Sequence, residues 1–517
     1  MRLSPAHLAS WLGFGVFLGV ACTGPSGTTT DGTDATTESP DCAIGSVGCQ
    51  CTPGGTCDGA LVCASKICVP LDETTSTSDT DTSEPTTASD TVGECGPTNE
   101  QESEMCGGAE PYCSKKGECV SCSGITSCAA IDPGKPACDA DTGYCVACTA
   151  NDASGCTDTT PICDPEANTC HACTRHDECS AGACDIATGA CFPEADALWV
   201  DGAGDCEDGG SGGADEPLCT IGEALSRVSA GAPRAILVRA AVYDETLVVP
   251  ASGVVAILRV GSGDVAITGA GDETLAIGAQ ARVYLDGLEI RGNDLGSGVG
   301  CEDAELWVDR SLIRQHQISG ISAVGCEVRV RAAALTKNLG EGLFASGGEV
   351  RIENTFITEN GDKLNADNPR GGVALAAGAK ATLVYATLVG NNAYTGGGLS
   401  VECDPDAGEE SVDLRNSIAF NAVGYSTFNC EGVEVVSHSA FSAATDDPDD
   451  DNVGVATAEV PMLVTADQGL PGVYRPMPGT KLDAVAMFAS GDPDVDFEGD
   501  PRPSEELSFP GADQPSP

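Results

Sequence analysis

The chain has 517 residues, too long for one compact domain, so roughly two to four folded units are expected. Its 79 acidic residues against 25 basic give a net charge of −54, which argues against nucleic acid or anionic lipid as a partner, because a phosphate surface would be repelled. Aromatic residues at 4%, 65 glycines and 29 cysteines argue for an exported, oxidised chain of short strands and tight turns rather than a conventional globular enzyme.

Arg2 supplies a positive start, and Leu8 to Ala21 is an apolar stretch of about 14 residues, too short to span a bilayer. It runs into Gly19-Val20-Ala21-Cys22. Small residues followed by Cys resemble a bacterial lipobox, although Gly19 stands where that motif prefers Leu and Leu18 sits one place early. The resemblance implies a leader over 1–21, a lipid on Cys22 as the membrane contact, and a place in the cell envelope of a Gram-negative bacterium. Thr23 rather than Asp after the cysteine is consistent with outer-membrane sorting in the lipoproteins it resembles. Ordinary leader cleavage with a free Cys22 is the alternative. Removing Cys22 from the 29 cysteines leaves an even 28, which favours the lipid. No later segment is long and apolar enough for a transmembrane helix, so the lipid would be the anchor.

Residues 22–41 are Ser/Thr/Gly/Asp-rich and read as a flexible tether; 71–94 repeat that composition as a linker. Between them, 42–70 carry Cys42, Cys49, Cys51, Cys57, Cys63 and Cys68, enough for three bridges in a module too small for a core. Residues 95–193 hold sixteen cysteines in a repeat of about 25 residues. The copies read as Cys106, Cys113, Cys119, Cys122, then Cys128, Cys138, Cys145, Cys148, then Cys156, Cys163, Cys170, Cys173, with Cys179, Cys184 and Cys191 as a truncated last copy. "CDADTGYCVAC", "CDPEANTCHAC" and "CDIATGACFP" show the self-similarity, which resembles disulfide-rich repeats of bacterial surface lipoproteins. The Cys-x2-Cys pairs also have zinc-site spacing, but export favours oxidation and the region offers only His171 and His176.

From 194 to 517 the composition changes to Val, Ile and Leu alternating with polar residues. Apolar pairs recur about every 22 residues: Val283/Leu285, Leu306/Val308, Val328/Val330, Val350/Ile352, Ala381/Leu383 and Val412/Leu414. Each defines a strand with one buried face. Seven or eight residues later comes a polar residue: Asn293, His316, Asn338, Asn360, Asn391 and Asn421. Glycines then return the chain at Gly296/Gly298, Gly320, Gly340/Gly342, Gly371/Gly372 and Gly396 to Gly398. A leucine-rich solenoid would need Leu spacing that is missing, and a sandwich or jelly roll would not explain the polar column. From Leu198 to Gln514 the pattern resembles right-handed parallel β-helix proteins of the pectate-lyase-like superfamily. The resemblance implies an all-β solenoid with a stacked Asn ladder held in left-handed turn geometry, into which His316 substitutes. It also implies a capping helix near Thr220 to Ala230. Cys206 with Cys219 would pin the opening loop, and Cys301 with Cys326 and Cys403 with Cys430 would staple neighbouring coils. The Asp-rich end carrying Asp494, Asp496, Asp500 and Arg502 resembles the closing segment of such proteins.

Alternation also assigns the outward residues. One column is Tyr284, Trp307, Arg329 and Arg351; its neighbour is Asp286, Asp309, Arg331 and Glu353. An exposed strip of rings beside carboxylates and guanidiniums suits a sugar chain. Three readings stay open: a solvated face with charge ladders, glycan or adhesive recognition without turnover, and a polysaccharide lyase or glycoside hydrolase using carboxylates and Arg. No catalytic motif stands out, and His316 reads as structural rather than as a base. Calcium is the one ion the acidic clusters suggest, weakly: Asp446, Asp447, Asp449, Asp450 and Asp451, or Asp492, Asp494 and Asp496. Solvated acidic loops are the alternative.

Overall fold

The computed structural model describes residues 61–64, 67–70, 95, 101–362, 371–391, 400–404, 410–420, 428–430, 434–442, 451–455, 463–465 and 474–515. Cys22, Cys42, Cys49, Cys51, Cys57, Asn421, Gly396 to Gly398, Asp446, Asp447, Asp449 and Asp450 lie outside the described residues. The chain divides into units 1–90 and 91–517. In the first, Leu61–Ala64 and Ile67–Pro70 form an antiparallel hairpin that sets Cys63 opposite Cys68. Among the described residues no helix is long and apolar enough to cross a membrane.

The second unit begins with four disulfide modules. Their pairing is Cys95–Cys113 and Cys106–Cys119, Cys122–Cys138 and Cys128–Cys145, Cys148–Cys163 and Cys156–Cys170, Cys173–Cys184 and Cys179–Cys191. First pairs with third and second with fourth in every module, so the repeat expected from the sequence is shifted by one cysteine. Cys173 belongs to the last module, which is therefore complete. Each Cys-x2-Cys joins the last cysteine of one module to the first of the next, and both are committed to different disulfides. Each bridge closes a loop of 11 to 18 residues and stabilises its module by roughly 3 kcal/mol, which supplements small apolar clusters built largely from the cysteines themselves.

Beyond them the chain winds through three parallel sheets with ten, ten and eight strands among the described residues. Sheet 1 opens with Leu198–Val200 and Pro233–Val238; sheet 2 begins at Ala241–Asp244 and sheet 3 at Leu247–Val249. Each coil visits the three in turn, the right-handed parallel β-helix that the sequence pattern implies. Val283, Leu306, Val328, Val350, Ala381 and Val412 stand in register on successive sheet 1 strands, all buried in one core. Cys206–Cys219, Cys301–Cys326 and Cys403–Cys430 are bonded as expected. The capping helix is shorter than expected, Ile221–Ser226. Thr220 caps it by accepting from the Glu223 amide, and Ser-Ala-Gly-Ala-Pro at 229–233 stops it early. Ile221, Ala224 and Leu225 plug the open end of the core.

The polar column is a hydrogen-bonded ladder. The Asn338 amide and Nδ2 both donate to Asn360 Oδ1, at 3.1 and 2.9 Å; Asn360 does the same to Asn391, and the His316 amide donates to Asn338 Oδ1. The left-handed turn lies one residue earlier than expected. Gly292, Gln315, Lys337, Glu359 and Gly390 have φ between 58° and 74°, while the residues after them do not. The turn residue reverses the chain, which frees the following side chain to point inward. Gly320 is required by its close approach to the next coil: a Cβ there would sit 2.6 Å from the Gly342 carbonyl oxygen and 2.8 Å from Nδ2 of Asn338.

The closing segment, residues 474–515, does not cap the end of the solenoid but lies along the outer face of sheet 2. Phe497 packs edge-on against Phe356 at 4.9 Å, and Leu482 joins Ile418 and Phe420. Arg502 is buried over the Tyr385 ring at 3.8 Å, and its Nη2 donates to Asn354 Oδ1 and to the carbonyls of Gly511 and Ala512.

Candidate functional site

The two outward columns are in the expected register: Tyr284 beside Trp307 beside Arg329 beside Arg351, and Asp286 beside Asp309 beside Arg331 beside Glu353. Their expected exposure is corrected at the first two strands. Tyr284 is 0% exposed and Trp307 5%, with Asp286 and Asp309 also buried. The fourth disulfide module covers them. Ala183, Phe192 and Ile186 pack on Ala235, Leu237, Ala256, Leu258, Tyr284 and Trp307. The Tyr284 hydroxyl donates to Asp185 Oδ1 at 2.5 Å, and Arg282 Nη1 lies 3.2 Å from Asp185 Oδ2. Burial first, and then the Asp185 hydrogen bond, push the Tyr284 phenol far above its ordinary range. These rings hold a module in place and are closed to a sugar.

The strands "PRAILV" and "VVAILR" carried a signal of this cover. Their outward Ala235, Leu237, Ala256 and Leu258 are apolar too, the near-continuous run of a strand buried on both faces.

Beyond Trp307 the face is open. Arg329 stands over the Trp307 ring at 5.6 Å, where cover gives way to solvent. A cleft of about 560 Å³ opens beside it. Arg175, His176 and Asp177 form one wall, Gly491 to Gly499 of the closing segment the other, and Asp309, Arg310, Arg331 and Glu353 the floor. A smaller hollow of about 90 Å³ shares Asp309, Arg331 and Glu353 and leads to Arg329 and Arg351. From these two arginines an open depression of about 370 Å³ continues past Lys380 and Thr382 to Asp413. The track crosses five sheet 1 strands, about 19 Å at ~4.8 Å per strand.

The floor is pre-set by ion pairs between successive coils and along one strand. Arg331 Nε and Nη2 grip Asp309 at 3.0 and 2.9 Å, and Arg310 grips Asp286 in the same bidentate manner, with Nε at 2.8 Å. Each guanidinium uses one edge on a buried carboxylate and keeps Nη1 for another partner. Arg351 holds Glu353 through Nε at 2.7 Å and reaches the Gly491 carbonyl. The cleft therefore alternates donors and acceptors at fixed positions, the chemistry that hydroxyl-rich chains need.

His176 was read from the sequence only as a scarce zinc ligand. The Cys184 amide donates to its Nδ1 at 3.0 Å, so the neutral ring carries its proton on Nε2. Burial depresses its pKa, against the opposing pull of Asp286 and Asp309. It is a hydrogen-bond donor in the cleft wall rather than a base.

The expected calcium ligands do not converge. Asp492 is paired with Arg415 and accepts from Asn416 Nδ2 and the Ala489 amide. Asp496 Oδ1 caps its own turn, accepting from the amides of 498, 499 and 500, and Asp494 is exposed. Among the described residues, the groups of three potential metal ligands are all cysteines, and all of these are in disulfides.

Fold and cleft define the class: a disulfide-rich protein with a parallel β-helix. Residues 83–198, which span the four modules and stop at the first strand of sheet 1, match a family of unknown function (DUF8331). No curated protein matches the sequence. Among solved structures, pectate lyase Pel9A is 15% identical with a TM-score of 0.39, over 62% of this chain and 96% of that one. A pectin methylesterase bound to a hexasaccharide is 14% identical with a TM-score of 0.33, over 51% and 94%. The Aspergillus niger pectin methylesterase is 13% identical with a TM-score of 0.29, over 51% and 88%. At such values the likeness adds nothing to what the three sheets show directly.

Proposed function

We propose that this is a cell-envelope lipoprotein, anchored through a lipid on Cys22, which presents its β-helix for recognition of a glycan chain. The observation that carries the reading is the polar track on the open half of sheet 1, with a walled cleft at Asp309, Arg331 and Glu353. Its guanidiniums and carboxylates are held by one another, so little ordering entropy opposes a ligand that docks on them. The leader-like start and the tether composition supply the envelope part of the reading.

The test is a glycan array and a polymer-cleavage screen on the full chain, with and without calcium. A fragment starting at Leu198 is unsuitable, because it would bare Leu237, Leu258, Tyr284 and Trp307. Binding that is weakened on the order of tenfold in Arg351→Ala, with no chain cleavage, supports recognition. Cleavage of polygalacturonate, alginate or peptidoglycan strands would replace it with a carbohydrate-active enzyme, a lyase or hydrolase, and put Asp309 and Arg331 first for mutation. No binding and no cleavage would end both readings.

A further inference from the structure

The fourth disulfide module lines the cleft as well as covering the rings beside it. It supplies Arg175, His176 and Asp177 to the cleft and Ile186 to the smaller hollow. A ligand that follows the track from Asp413 toward Trp307 therefore comes up against this module, because Trp307 and Tyr284 are already covered by it. The turn that carries His176 is fixed before any ligand arrives. Cys173 and Cys179, three residues to either side, are bridged to Cys184 and Cys191. Glu178 closes the turn by accepting from the amides of Thr174 and Arg175 at 2.7 and 3.1 Å. The His176 ring is then held twice: its Nδ1 accepts from the Cys184 amide at 3.0 Å, and it meets the Tyr284 ring edge-on at 5.9 Å.

One atom of that ring is left over. His176 is 5% exposed, and among the described residues its Nε2–H has no partner. The nearby carboxylates of Asp286 and Asp309 are taken by Arg310 and Arg331. A buried donor without an acceptor costs free energy, and one fixed at the edge of a cleft is preset for an oxygen that a ligand brings. We propose that the cleft is one binding site built by two parts of the chain, with His176 as its specificity-determining donor: the Nε2–H binds an oxygen of the sugar unit that rests on Arg331, and this bond ties glycan binding to the seating of the module. The proposal rests on the glycan reading above and makes the module part of the recognition surface as well as its cover. A sugar unit lacking an oxygen at that place leaves the donor unpaired and is rejected. By linkage, a glycan that touches both parts holds them together as strongly as the seated module improves glycan binding.

The test uses the full chain and whichever of polygalacturonate, alginate and peptidoglycan strands it binds. Two variants separate recognition from packing. His176→Asn keeps an acceptor where Nδ1 meets the Cys184 amide and removes the donor at Nε2; His176→Gln carries an amide donor out to Nε2 and gives up the Cys184 bond. Recognition predicts that affinity falls by roughly tenfold in His176→Asn and by less than about threefold in His176→Gln. A packing role predicts the reverse order, and that order overturns the proposal. The second readout is hydrogen exchange of the Ala187 amide, which bonds the Tyr284 hydroxyl across the seat. Saturating glycan should slow it by roughly tenfold or more in the natural chain and leave the Cys122 and Asp139 amides of the second module unchanged. Equal binding by the natural chain and His176→Asn, or an Ala187 rate that glycan does not slow, overturns this proposal while the proposed function stands. If none of the three polymers binds, both fall. If His176→Asn does not fold, Ala187 exchange in the natural chain decides alone.

Discussion

Sheet 1 shows two outer faces on one continuous set of strands. From Pro233 to Trp307 a patch of outward apolar and aromatic residues, Ala235, Leu237, Ala256, Leu258, Tyr284 and Trp307, carries the fourth disulfide module, with Arg282 at its edge paired to Asp185. From Arg329 to Asp413 the residues that line the open track, Arg329, Arg351, Lys380, Thr382 and Asp413, are charged or polar. The inner faces of the two halves are alike, Val and Ile or Leu in register. A solenoid thus keeps one core repeat while each stretch of outer face takes its own task, and that task is set by whatever lies on top.

Substitutions can break this comparison at either half. Trp307→Ala removes a ring that bridges Tyr284 and the module, and unfolding free energy should fall by about 3–5 kcal/mol in chemical denaturation. Acid should act next and on both halves together. His316 lies inside the solenoid with Nδ1 unpartnered, and burial lowers its pKa to about 4. The unfolded chain therefore takes the proton first. Stability is full above ~6.5 and declines by about 3 kcal/mol as pH falls to ~4. His176 is also held neutral by burial, so any acid loss that disappears in His176→Gln belongs to the covered half alone. Asp185→Asn should cost about 1–3 kcal/mol, because it weakens the seat of both Tyr284 and Arg282. Arg351→Ala, on the open half, should change stability by less than about 0.5 kcal/mol and yet weaken glycan binding on the order of tenfold. If Arg351→Ala destabilises as much as Trp307→Ala, the division of the face is wrong.

The coils were legible because their signal is local and repeated. Val283/Leu285 and its five successors fix strand, face and period at once, and the polar residue seven or eight places on falls where the ladder needs it. What covers an outward side chain is not local. Tyr284 and Trp307 read as ligand platforms because nothing in their own strands names Phe192, a residue 92 positions before Tyr284. The partners of the Asp-rich end are non-local for the same reason, since Asp492 finds Arg415 and Asn416 more than 70 residues upstream. The cysteine spacing gave the repeat but not its phase, because a periodic pattern of four cysteines can be cut at any one of them.

The local pairing of the modules has a mechanical consequence. No bridge crosses from one module to the next, and the links between them are Val120-Ser121, Val146-Ala147 and His171-Ala172. Tension arriving from the N-terminal side cannot lengthen a module past its closed loops, and two-residue links leave little slack. The load is passed almost undiminished to the fourth module, whose hold on sheet 1 is non-covalent. That seat of Phe192, Tyr284, Trp307 and Asp185 is the element that would yield first under pull, and it yields beside the cleft.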